Sequence, residues 1–143
     1  MKIRTDFVTN SSSSSYIIAY RQTPGYDEET LKKYPALACF HRMVEMVFSS
    51  SSYYGDTDEG EKVESKDELD ALFMNRYGWV GNTIDGILSE DKYLKKQYEK
   101  CLNAIQCGCT VLFKKVSYSD NILAGLICEL GNCNVGIEII DKD

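Results

Sequence analysis

Thr110-Val-Leu-Phe-Lys-Lys-Val-Ser-Tyr118, Asp120-Asn-Ile-Leu-Ala-Gly-Leu-Ile-Cys-Glu-Leu130 and Val135-Gly-Ile-Glu-Ile-Ile140 follow one another with only short turns between them. The first is built on Val111, Leu112, Phe113 and Val116 and reads as a strand. In the second, Ile122, Leu123, Leu126, Ile127 and Leu130 recur at the spacing of one helix face. The third is again a strand. A strand, a helix and a strand joined this tightly predict a βαβ unit, with parallel strands and a right-handed crossover. Parallel strands begin at one edge of a sheet and end at the other. Cys107 and Cys109 precede the first strand and Cys133 the second, so these three are expected at one edge. Ser117, Ser119, Asp120, Asn121 and Asp141 are expected at the opposite edge, where open α/β sheets bind ligands.

Upstream of this unit the pattern is more helical. Ser89 is the expected N-cap of a helix carrying Leu94, Tyr98, Cys101, Leu102 and Ile105 on one face, and Gly108 ends it. Ser65 and Glu68 stand three apart as in a capping box, ahead of Leu69, Leu72 and Phe73, and Gly78 supplies the stop. Between these helices, Trp79 to Gly86 reads as a turn-rich connection. Residues 49–64 hold a serine run, two glycines and no periodicity, which predicts a mobile, exposed acidic loop. Leu37, Phe40, Val44, Val47 and Phe48 mark a helix face over 36–48, Asp27 to Tyr34 a short helix before Pro35, and Tyr16 to Arg21 a first strand. The expected fold is one small α/β (or α+β) domain over 1–143: a few-stranded sheet, the C-terminal βαβ unit and about four helices.

The first strand emerges from Ser11-Ser-Ser-Ser-Ser15, with Phe7 and Val8 before the run and Tyr16, Ile17 and Ile18 after it. Apolar anchors at both ends predict that the serines are held against the domain, their hydroxyls bonded to backbone groups. A tract awaiting modification would instead be exposed. Arg4-Thr-Asp-Phe-Val-Thr-Asn-Ser-Ser-Ser-Ser-Ser-Tyr-Ile resembles the opening signature of a group of small, uncharacterised, mostly Gram-positive bacterial proteins that begin FVTNSSSSSF. Tyr16 stands where that group has Phe. The resemblance covers about the first eighteen residues and, more faintly, Val116 to Asn121. It implies a bacterial cytosolic origin and no particular chemistry.

Composition narrows the function classes. The chain has 143 residues, 43% of them apolar, enough for one core without staples. No stretch approaches the roughly 18 apolar residues of a membrane span, and the first residues lack the apolar segment of a signal peptide, so a cytoplasmic protein with no membrane partner is expected. Its six cysteines are then expected as thiols or metal ligands. Between Asp56 and Asp70 eight acids accompany two lysines, which accounts for the whole net charge of −6. Without a concentrated basic face, no nucleic-acid partner is expected. Lys92, Lys95, Lys96 and Lys100, interleaved with acids, read as the solvated face of a helix.

Three sets of residues are candidate sites. Cys101, Cys107, Cys109 and Cys133 offer four thiolates for a structural zinc, although their spacings are not those of a zinc knuckle, and Cys101 lies on a core face; buried thiols and no cofactor are the alternative. Ser117 to Asn121 opens a helix whose free N–H groups attract anions, with Tyr118 available for stacking and Asp141 nearby, although Ser119 or Asp120 equally suits a plain N-cap. Arg76, Tyr77 and Trp79 are residue types that dominate interfaces, although a lone Trp after a helix is commonly a core plug. Catalysis by a nucleophile has little to work with, since the single histidine, His41, falls on a predicted helix.

The sequence thus points to a non-enzymatic interaction module binding an unknown protein or its own copy, in a homodimer covering a sheet edge or the Trp79 region. A small-ligand enzyme at the Ser117 to Asp141 edge is the rival, and a cysteine-ligated metal protein the third reading. Anchoring of the serine run is testable directly. Burial of Phe7 would contribute about 1.5 to 3 kcal/mol, so Phe7→Ala should lower the melting temperature markedly while Ser13→Ala, if its hydroxyl merely faces water, leaves it in place.

Overall fold

The computed structural model describes residues 13–21, 26–48, 59–117, 121–133 and 136–142. Its middle is β1, Ser13–Tyr20. Tyr16, Ile18 and Tyr20 bury on one face of this strand, Ile17 and Ala19 on the other. A strand apolar on both sides needs a layer over each face and a partner along each edge. Both needs are met. The sheet order is β2-β3-β1-β4, with β2 at Glu59–Val63, β3 at Thr110–Ser117 and β4 at Ile137–Lys142. The last three serines of the run, Ser13 to Ser15, are strand residues opposite Ser117, Val116 and Lys115; Phe7 and Val8 lie outside the described residues.

Six helices are described: α1 (Glu28–Lys33), α2 (Pro35–Phe48), α3 (Lys66–Tyr77), α4 (Ile84–Glu90), α5 (Lys92–Gln106) and α6 (Asn121–Asn132). Over one face of the sheet, Leu69, Leu72 and Phe73 of α3, Ile87 of α4 and Leu94, Tyr98 and Cys101 of α5 meet Ile17, Ala19, Val63, Val111, Phe113 and Ile140. Over the other, Val44, Val47 and Phe48 of α2 and Leu123, Ile127 and Leu130 of α6 meet Tyr16, Ile18, Tyr20, Leu112, Val116 and Ile137. The chain is therefore a mixed α+β fold, a sheet between two helical layers. Among the described residues no helix is long and apolar enough to cross a membrane.

The expected parallel βαβ unit is not formed. Every hydrogen-bonded strand pair is antiparallel, and β1 lies between β3 and β4. Inserting β1 between them moves β4 only about 5 Å further from β3, a step that the helical connection spans as readily as direct adjacency. Local sequence cannot separate the two arrangements; the two apolar faces of β1 decide for the central place. Both strands run against β1, so Thr110 and Ile137 still share the end marked by Tyr20.

Four further expectations change. Glu59–Val63, placed in the acidic loop, is an edge strand antiparallel to β3; Glu61 and Lys62 on it are exposed and Val63 is buried, so main-chain pairing rather than an apolar pattern holds it. The connection before α5 contains α4, whose N-cap Thr83 accepts from Gly86 N at 3.0 Å. Ser89 is the last turn of α4 and not a cap; Asp91 caps α5, accepting from Tyr93 N and Leu94 N at 2.9 and 3.2 Å. The first half of α2 stays outside the core, with Phe40 44% exposed. The capping box at Ser65 is present, its Oγ accepting from Glu68 N at 3.2 Å, and Gly108 ends α5 with φ of +88°.

Glycines test the packing from both sides. An alanine Cβ at Gly81 would stand 2.7 Å from the Gly86 carbonyl carbon and from Ile87 N, both backbone. At Gly125, inside α6, it would meet nothing within 4 Å. Thermal unfolding should therefore find Gly81→Ala destabilising by about 1 to 3 kcal/mol, and Gly125→Ala stabilising by about 0.4 to 1 kcal/mol.

Candidate functional site

The register along β1 decides what gathers at the ends of β3 and β4. Ser117 pairs with Ser13, whereas Asp141 pairs with Ile17, whose partner on the other side is Phe113. Four residues of strand, about 13 Å, separate the levels of Ser117 and Asp141. The candidate edge site is thus taken apart. Ser117 closes β3 and Asn121 opens α6, while Tyr118, Ser119 and Asp120 lie outside the described residues.

Asp141 is turned elsewhere by a β-bulge. Ile17 pairs with Asp141 but Ile18 with Ile139, which leaves Ile140 as the extra residue. Alternation along β4 is broken there, so Ile140 and Asp141 both serve the α3–α5 layer and Lys142 reaches α6. The Asp141 carboxylate accepts from the Tyr93 hydroxyl and, at 2.8 Å, from Gln97 Nε2. One turn along α5, Cys101 is fully buried; burial first, and the Asp141 charge second, push its thiol up to about 12. A thiol held protonated is no nucleophile. Tyr93, Gln97 and Asp141 form an internal latch between α5 and the end of β4.

A second polar group joins α3 to α5. Tyr98 donates to Asp70 Oδ1, and Lys66 Nζ donates to Asp70 Oδ2 at 2.7 Å. Burial pushes the Asp70 carboxyl up, yet the hydrogen bonds from Lys66 and Tyr98 and the Lys66 charge outweigh it and hold the carboxyl below the usual range. Burial and the Asp70 contact raise Tyr98; the bond to Asp70 raises Lys66. All three shifts lead away from neutral pH, the reverse of what an acid–base catalyst requires. This trio pins helices together.

The four candidate zinc ligands are not brought together. Cys101 is sealed in the α3–α5 layer and Cys109 packs against the same layer half-buried; Cys107 is exposed at the end of α5. Cys133 is exposed behind α6, the helix of the other layer. The sheet stands between the two ends of the set. Among the described residues, no three His, Cys, Asp or Glu side chains gather to hold a metal ion. His41 sits on α2 with Nε2 3.1 Å from Glu45 Oε1, a same-helix pair.

Arg76, Tyr77 and Trp79 divide their labour. Tyr77 turns inward, its ring 5.3 Å from that of Phe73. Arg76 places its guanidinium 5.3 Å over the Phe113 ring and bonds Glu61 Oε1 at 3.1 Å. Trp79 is 83% exposed, which overturns its expected role as a core plug. Gly78 keeps right-handed helical angles, φ −60° and ψ −17°, so the turn continues one step. Tyr77 and Val80 then take the inward positions, closed by Val80 N donating to the Tyr77 carbonyl at 2.9 Å, and the indole is carried outward. The sequence holds the one clue to this, an apolar residue on each side of Trp79. Compared with family models, curated proteins and solved structures, the chain matches none.

Cys101 gives the site analysis its test. In the native protein a thiol reagent should label the exposed Cys39, Cys107 and Cys133, and reach Cys101 only on unfolding. The unfolded chain releases the Cys101 proton near the ordinary 9.0 and the folded chain near about 12, so this contribution to stability is whole below pH 9 and lost as the pH climbs between those values. Denaturant titrations should show Cys101→Ala flattening that alkaline loss. Asp70 acts with the opposite sign: its contribution is present above the ordinary carboxylate range and is lost as the pH falls through its lowered value.

Proposed function

We propose that this protein is a non-enzymatic interaction module of the bacterial cytoplasm, and that a protein partner docks over Trp79. The observation that carries the reading is the indole itself, 83% exposed on a turn whose neighbours Tyr77 and Val80 are packed into the core. A large aromatic held on a rigid base loses little conformational entropy on binding and offers much apolar area, the properties of an interface hot spot. Arg76, stacked on Phe113 and bonded to Glu61, flanks it with a cation already fixed in place. The enzymatic rival has lost Asp141 to the latch with Tyr93 and Gln97, and with it the charged end of its proposed site.

Trp79 is the only tryptophan in the chain, so its fluorescence reports on this face alone. Free protein should emit as a solvated indole and be quenched readily by iodide. Partner docking should shift the emission to the blue and protect it. Trp79→Ala should leave the unfolding free energy within about 0.5 kcal/mol of the parent's. A partner from the native host that the parent retains and Trp79→Ala loses supports the reading; identical retention by both proteins, with no change in indole emission, removes it.

A further inference from the structure

The outer face of α5 breaks two rules of helix design. Lys92, Lys96 and Lys100 recur at intervals of four, each with a like charge one turn away, and Glu99, three residues after Lys96, is the acid set among them on the same exposed face. Lys92 also stands in the first turn, where the helix dipole disfavours cations. Among the described residues none of the three has an ion-pair partner, and all three side chains are exposed. Local rules broken together on one surface are a mark of function.

The same helical layer carries the opposite charge. At the junction of β2 and α3, Glu64, Asp67 and Glu68 are exposed, and again no ion pair among the described residues engages them. The two patches belong to one layer because Asp70 of α3 bonds Tyr98 of α5. We infer that a second copy of this chain docks on the α5 lysines through its own Glu64–Glu68 patch. A two-fold axis over the layer brings each acidic patch against the other copy's lysines, so a single set of contacts is made twice and the assembly closes. This docking surface is separate from Trp79 and stands or falls independently of that reading.

Sedimentation of the full chain tests the inference. The parent should dimerise at about 0.1 M salt and dissociate towards 1 M, as screening shortens to a few ångströms. Lys96→Glu with Lys100→Glu should weaken the dimer about tenfold or more. Asp67→Lys with Glu68→Lys should do the same, and mixing the two variants should restore association as a heterodimer. Because Asp67 and Glu68 also support the start of α3, Glu64→Lys serves as a second acid-side variant, with circular dichroism checking each fold. A parent that is monomeric at low salt overturns the inference, as does a dimer indifferent to the lysine reversal. A dimer dissolved by Trp79→Ala but not by the charge variants places the second copy on the indole face and overturns it as well. Binding of an oligonucleotide or of phosphatidylserine vesicles that the lysine reversal abolishes would assign the stripe to a different partner.

Discussion

Main-chain pairing of β1 on both edges is the constraint from which the rest of the structure follows. Its five residues from Tyr16 to Tyr20 are all buried, alternately against the two helical layers, and none of them can face water without cost. Only an interior strand satisfies that pattern. Once β1 takes the place between β3 and β4, the direction of both is set against it, β2 is left to pair along the outer edge of β3, and the helices must divide between two faces. Lys114 illustrates how tight the result is: it is 1% exposed beneath α2, where its ammonium donates to the Met46 carbonyl at 3.2 Å.

The bulge at Ile140 is the second decision of consequence. One extra residue rotates the end of β4, so that Asp141 is spent on Tyr93 and Gln97, and Lys142 reaches Cys128 Sγ at 3.3 Å on the opposite layer. The C-terminal end of the sheet's last strand is thereby fastened to both layers. Polar groups that would furnish a ligand site in an open α/β sheet serve here to close the fold. Bulges are common on edge strands because they also spoil the flat row of free N–H and C=O groups that invites aggregation. The opposite edge, β2, is guarded by Glu61 and Lys62 instead.

The buried Cys101 and the trio that runs from the exposed Lys66 through the half-buried Asp70 to the buried Tyr98 are shifted away from neutrality and act as structural elements. The exposed indole and the α5 lysines both sit on a helical layer stiffened from beneath by an aromatic cluster around Phe73. A recognition surface benefits from such backing, since the order it needs is already present before the partner arrives.

By itself the sequence determined those features that depend on neighbours a few residues away. The cap at Ser65, the stop at Gly108, the helix over 36–48, the helix after Asp120 and the strand after Cys109 were all legible, since capping, helical periodicity and β-branched runs are local physics. Burial of Cys101 was legible for the same reason, from its place on an apolar helix face. The tertiary structure alone decided the strand order, the bulge, the outward turn of Trp79 and the dispersal of the four cysteines. None of these has a local signature: β1 reaches β3 across about ninety residues and β4 across about a hundred and twenty, and β2 is held by hydrogen bonds to β3 that any side chain permits. Ser117 and Asp141 part because the register along β1 sets Asp141 four residues short of the level of Ser117, and that register, like the central place of β1 between two apolar layers, is a property of the assembled domain and not of the segment that carries either residue.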